Sequence, residues 1–219
     1  MTYAYVSHRH KFVLVVGGRC GSTLFKTWFM LLEGKDFRQS PPNSVHSAMI
    51  SFTCDAPPKG YRRILVLRNP AARLLSFYKE WVVRKQINHE CMGRAESFQS
   101  LVTKLEQRRD KLHDSHLQPQ VPAFPVHYTI RLDLVSQQMP KLEEELGLSP
   151  TCLNWSHPRY ASPHTVTLVP GKKGEACTWT GHEIWEHQAW PSLPQVLTPE
   201  IQATIRTIFE KDYQAWSSC

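Results

Sequence analysis

Two short stretches of this chain hold the residue types needed to grip an anion. The first is Gly17-Gly18-Arg19-Cys20-Gly21-Ser22-Thr23, which sets a guanidinium, a thiol and two hydroxyls among three glycines. It follows the apolar run Phe12 to Val16, which is of strand length. It precedes Leu24, Phe25, Trp28, Phe29, Leu31 and Leu32, which are spaced as one face of a helix. A strand, a glycine-rich turn and a helix together aim backbone N–H groups and the positive end of a helix at a phosphate-type group. The second stretch is Arg68-Asn69-Pro70, ending the apolar run Ile64 to Leu67. Asn69 is a good N-cap and Pro70 a good first helical residue. The helix that follows carries Leu74, Leu75, Phe77, Tyr78 and Trp81 as apolar material, with Arg73 and Ser76 three positions apart on one face.

These turns do not form a triphosphate site of the usual kind. A Walker A loop ends in Gly-Lys-Ser/Thr, its lysine serving the β- and γ-phosphates. Here Gly21 is followed directly by Ser22, the charge sits earlier at Arg19, and the second strand ends in arginine rather than in an acidic magnesium ligand. An ATP-dependent kinase is therefore a poor fit. Two cationic turns suit a nucleotide with phosphate at both ends and no bound metal. Cys20 has two readings: a thiol whose pKa is lowered beside Arg19 and a helix N-terminus, or, as we prefer, a small side chain contributing its N–H to the loop.

The elements that must position these groups follow from the rest of the chain. The 219 residues are 41% hydrophobic and 21% charged, which suits one globular domain, 1–219, with a full core. Residues 1–10 read as a loose lead-in, and 34–60 as mostly loop with a helical turn near Val45–Ile50, suited to shaping an acceptor pocket. A helix is predicted over 97–112. Pro119, Pro122 and Pro125 forbid regular structure after it. A short strand at Val126–Ile130 leads into a helix that breaks or restarts at Pro140 and stops at Gly147. Residues 149–197 read as loops with one short helix near 181–189, a region suited to covering substrate or cofactor. A final helix runs from Thr198-Pro199 to the C-terminus. Alternating strands and helices predict an α/β fold: three layers, α/β/α, around a mostly parallel sheet that binds its ligand at the strands' carboxyl ends.

Lys+Arg exceed Asp+Glu by 26 to 19, a net charge of +7, which favours anionic ligands. The basic residues are spread along the chain, which disfavours a nucleic-acid partner and the alternative of a basic nucleotide- or RNA-binding module. No apolar run approaches the ~20 residues that span a bilayer, and the first ten residues lack a secretory apolar segment. A cytoplasmic protein with no membrane partner is expected. Six cysteines at 20, 54, 91, 152, 177 and 219 form neither C-x-x-C nor a zinc pattern, so free thiols and no metal site are expected.

Taken together, these motifs resemble the sulfotransferase family. GGRCGSTLFKTW is similar to its 5′-phosphosulfate loop, and LRNPAARLLSFY to its 3′-phosphate motif, R-N/D-P-x-x-R-x-x-S-x-Y. DSHLQPQ at 114–120 resembles the D-x-H-x-x-P-Q element of the carbohydrate branch. IRLDLVSQQMPKLEEELGL, with Asp133 at an acidic position, and IFEKDYQAW are weaker echoes. The resemblance implies a P-loop-like fold and metal-free transfer of a sulfuryl group from 3′-phosphoadenosine 5′-phosphosulfate (PAPS) to a hydroxyl, of a carbohydrate or another small hydroxylated metabolite. It implies that Arg19, with the N–H groups of Cys20, Gly21, Ser22 and Thr23, holds the sulfonate end. Arg68 and Ser76 would hold the 3′-phosphate. Arg73 is either a further phosphate ligand or a packing and ion-pair residue. His116 is the expected base, and Asp114 either orients it or is itself the base. Lys172, in the basic loop Gly171 to Gly174, either reaches the 3′-phosphate or sits in a solvated turn. Trp179, Trp185 and Trp190 either stack on rings of the ligands or pack as satellite core.

Overall fold

A computed structural model describes residues 3–54, 56–80, 96–107, 114, 116–155, 175–186 and 190–219. These fall into two units, the first drawn from 1–68, 119–161 and 215–219, the second from 69–118 and 162–214.

The first unit is built on a sheet. Tyr3–Ser7 is strand β1, not a loose lead-in, and it turns through His8 to Lys11 into β2, Phe12–Val16. Ala4 and Val6 face one way and Tyr5 the other, the period-two pattern of a strand. After helices α1 (Ser22–Leu32) and α2 (Pro42–Ala48) come β3 (Thr53–Cys54) and β4 (Arg62–Leu67). Strand β5 (Tyr128–Arg131) is followed by a 3₁₀ turn, Leu132–Leu134, and helix α5 (Val135–Glu145). The strand order is β3-β1-β2-β4-β5. β2, β4 and β5 are parallel neighbours, while β1 is antiparallel to both β2 and β3. The sheet is thus mixed: the N-terminal hairpin supplies one strand, β1, that runs against the other four.

One face of the sheet, with Leu14, Val16, Ile64, Val66 and Ile130, packs on Leu24, Phe25 and Trp28 of α1 and on Met139 and Leu142 of α5. The other face, with Val13, Val15, Leu65 and Leu67, is covered by Val121, Phe124, Val126 and Trp216. Pro140 does not break α5. It lies exposed, so water can serve the carbonyl its missing N–H abandons, while Val135, Met139 and Leu142 stay buried on the other side.

The second unit is helical. Helix α3 (Pro70–Tyr78) starts as read, with the Asn69 side chain accepting from Ala72 N at 3.1 Å. Helix α4 (Phe98–Gln107) follows, and after it α6 (Gly181–Glu186), α7 (Leu193–Val196) and α8 (Pro199–Ile208). Phe77 and Tyr78 of α3, Phe98 and Leu101 of α4 and Ile205 of α8 form its core, with Trp179 and Trp190 packed on the edge. The C-terminal helix is two helices rather than one. Phe209, at φ −114° and ψ 38°, leaves the helical region and points into that core, and α9 begins at Glu210, running to Ser217. No helix among the described residues is long and apolar enough to cross a membrane.

Candidate functional site

Strands β2, β4 and β5 run parallel, so their carboxyl ends emerge on one edge of the first unit's sheet, and each contributes to a polar loop there. Gly17 to Gly21 leave β2 in a tight turn closed by Cys20 N donating to Gly17 O at 3.3 Å. Arg19 sits at φ 64°, a left-handed conformation uncommon for a residue with a side chain. Gly21 is also left-handed, at φ 72°, and a Cβ placed there would lie 2.6 Å from Leu132 Cδ1. A side chain at position 21 would require the end of Leu132, just beyond β5, to swing aside as well as a left-handed backbone. Gly21 is the N-cap of α1 and supplies no side-chain cap, and no acidic residue stands in the helix's first turn. The first N–H groups of such a helix have no acceptor within it. They point, with the positive end of the helix dipole, to where an anion is stabilised.

The ends of β2 and β4 are tied by one side chain. Gln120, 1% exposed, accepts at Oε1 from Arg68 N at 2.8 Å and from the Cys20 thiol at 2.9 Å. Its Nε2 donates to Arg68 O at 3.0 Å. Arg68 in turn donates from Nη1 to Arg19 O at 2.9 Å. Gln120 thus fixes the register of the two cationic turns, and the Cys20 thiol is buried in that bond. Gln120 is part of DSHLQPQ, and its place in that motif is the one sequence signal that points to it.

Below the loop, on the first turns of α1, Thr23 Oγ1 lies 3.1 Å from His46 Nε2, and Lys26 Nζ lies 2.8 Å from His46 Nδ1. Burial brings the Lys26 pKa down to about 8. His46 lies on α2, in the segment where a helical turn is expected near Val45–Ile50.

The second unit carries the remaining described candidates. Asp114 Oδ1 accepts from His116 N at 2.6 Å and lies 2.8 Å from His116 Nδ1. A carboxylate there favours the tautomer with the proton on Nδ1, which puts the lone pair on Nε2. The ring lies against Phe77, centroids 6.4 Å apart. Arg73, on α3 and 3% exposed, donates to His116 O at 2.7 Å and to Gln118 O, with Asp212 Oδ2 at 3.5 Å and the Phe209 ring beneath its guanidinium. Arg73 therefore holds the segment that bears His116. Ser76, one turn further along α3, is 7% exposed. Lys172 lies outside the described residues.

The first unit holds a glycine turn with fixed positive charge at a helix N-terminus, and the second holds a carboxylate-oriented imidazole. Compared with curated proteins and with solved structures, the chain has no significant match in either set. The model of one family does match, over residues 2–217, nearly the full length, and this chain belongs to the sulfotransferase family.

Proposed function

We propose that the protein moves the sulfuryl group of PAPS to a hydroxyl of a carbohydrate or another small hydroxylated metabolite, without a metal. The observation that carries this reading is the uncapped N-terminus of α1 behind a glycine loop whose guanidinium cannot be deprotonated. In-line transfer builds negative charge on the leaving phosphate, and fixed donors aimed at that charge are the largest help an enzyme gives. Arg19 and the N–H groups of Gly21, Ser22 and Thr23 take that role, while the Cys20 N–H closes the turn on Gly17 O behind them. Arg68 and Ser76 serve the 3′-phosphate, with Lys172 as a further candidate.

His116 takes the acceptor's proton on Nε2 as the new S–O bond forms and the bond to the phosphate breaks, releasing adenosine 3′,5′-bisphosphate. Asp114 orients the imidazole and stabilises it once charged. The partners of Arg73 support its role as the residue that positions His116 rather than as a phosphate ligand. The reading includes the three-layer arrangement of the fold, one domain spanning the chain, a covering role for 149–197, a cytoplasmic setting and no nucleic-acid or membrane partner.

Titration calorimetry with adenosine 3′,5′-bisphosphate, with and without magnesium, tests it. Micromolar binding unaffected by magnesium is expected. No binding, or binding of ATP that requires magnesium, overturns it. His116→Ala should lower transfer from PAPS by about 10²- to 10⁴-fold, and full activity in that variant would remove His116 from the mechanism.

A further inference from the structure

Thr23 and Lys26 lie three positions apart on α1, so they share a face. His46, from α2, bridges them: its Nε2 is 3.1 Å from Thr23 Oγ1 and its Nδ1 is 2.8 Å from Lys26 Nζ. The direction of these bonds follows from the chemistry of the ends. A lysine ammonium has three donors and no acceptor, so Nδ1 must accept. A second positive charge on the ring, 2.8 Å from that ammonium, would be repelled, so the imidazole is neutral and its proton sits on Nε2. Nε2–H then donates to Thr23 Oγ1, and the threonine's own proton is directed away from His46.

We propose that Lys26, His46 and Thr23 form a one-way hydrogen-bond relay that makes the Thr23 hydroxyl a donor to the anionic sulfonate end of the donor substrate, with His46 as the positioning residue. The identity of that anion rests on the function proposed above; the direction of the relay does not. A threonine hydroxyl left to itself rotates among acceptors. Here its lone pair is occupied by a proton that the buried cation fixes three bonds away.

The groups facing Lys26 include the Tyr5 ring of β1, 5.1 Å from Nζ, and His46 of α2. Burial lowers its pKa. At neutral pH it is still the ammonium. As pH rises through about 8, the amine gains a lone pair, and the relay can reverse: Thr23 then donates to Nε2, and Nδ1–H to Nζ. Affinity for the anion falls with that reversal.

Two measurements test the relay separately from the function. Nitrogen-15 NMR of the His46 ring at pH 7 should show a protonated Nε2 and an unprotonated Nδ1, with Lys26→Met losing this fixed tautomer. A protonated Nδ1 in the wild type overturns the proposal whatever the protein binds. In calorimetry with adenosine 3′,5′-bisphosphate and PAPS, Thr23→Val and His46→Leu should each weaken PAPS by about ten-fold. The double variant should be no weaker than either single one. His46→Gln, whose amide restores the donor to Thr23, should bind within about two-fold of wild type. PAPS affinity of the wild type should fall between pH 7 and 9, and that of Lys26→Met should stay level. If His46→Leu binds PAPS as the wild type does while Thr23→Val does not, the relay is wrong. If the wild type binds neither nucleotide, the function is wrong, and the NMR result still decides the relay.

Discussion

The loop around Arg19 and the loop around His116 are centred on different kinds of group. A neutral amide sits at the middle of the first: Gln120 ties Cys20 to both backbone groups of Arg68, whose guanidinium adds a bond to Arg19 O. A buried charge holds the second: Arg73 grips the carbonyls of His116 and Gln118 beside the Asp212 carboxylate, which is itself 0% exposed. An amide makes directional bonds at small desolvation cost. A buried guanidinium and carboxylate reach further, but each depends on the other. The anion cradle should therefore be tunable by small steps, and the imidazole loop should fail sharply.

Removing the charge gives the largest effect. Arg73→Met should cost about 3–5 kcal/mol of stability in denaturant unfolding, and adding Asp212→Asn should recover part of it. A cost near zero would remove the charged half of the contrast. Gly21→Ala should come next, at about 2–3 kcal/mol, since it combines a left-handed φ with a Cβ 2.6 Å from Leu132. Leu132→Ala in the same chain should relieve the clash but not the backbone strain. Gln120→Leu should cost about 1–3 kcal/mol and weaken binding of adenosine 3′,5′-bisphosphate. If it leaves that binding untouched, the amide does not set the register of the two turns.

The last effect is one of pH. Lys26 has a folded pKa of about 8 against 10.5 in the unfolded chain. Between those values the unfolded state binds the proton and the folded state does not, so the lysine's contribution to stability rises with pH. Relative to Lys26→Met, the wild type should gain roughly 2–3 kcal/mol from pH 8 to 10.5, and no change across that window would contradict a buried lysine.

The two strand–turn–helix units were legible because their signals are consecutive: apolar run, turn residues, then an N-cap. Asn69 and Pro70 announce α3 with no help from the rest of the chain. Strand β1 was not, because only pairing with β2 makes Tyr3–Ser7 a strand, and its turn, His8 to Lys11, has none of the usual glycine or asparagine. The two-helix C-terminus was hidden for a similar reason: Phe209 breaks the helix to reach a core assembled from distant segments. Arg19, Arg68 and His116 stood out by type and motif. Gln120 and His46 did not, since their meaning lies in partners 100 and 20 positions away.

Arg19 at φ 64° bears on how such a sequence drifts. A left-handed backbone costs an ordinary residue about 1–2 kcal/mol, and glycine escapes that cost. Random substitution screened for folding alone would therefore tend to erase the arginine, with Arg19→Gly as stable as the parent or slightly more so. Its persistence in a lineage would be a record of selection for what the charge binds. A library sorted first for thermal resistance and then for nucleotide binding should show the two pressures pulling this one position in opposite directions.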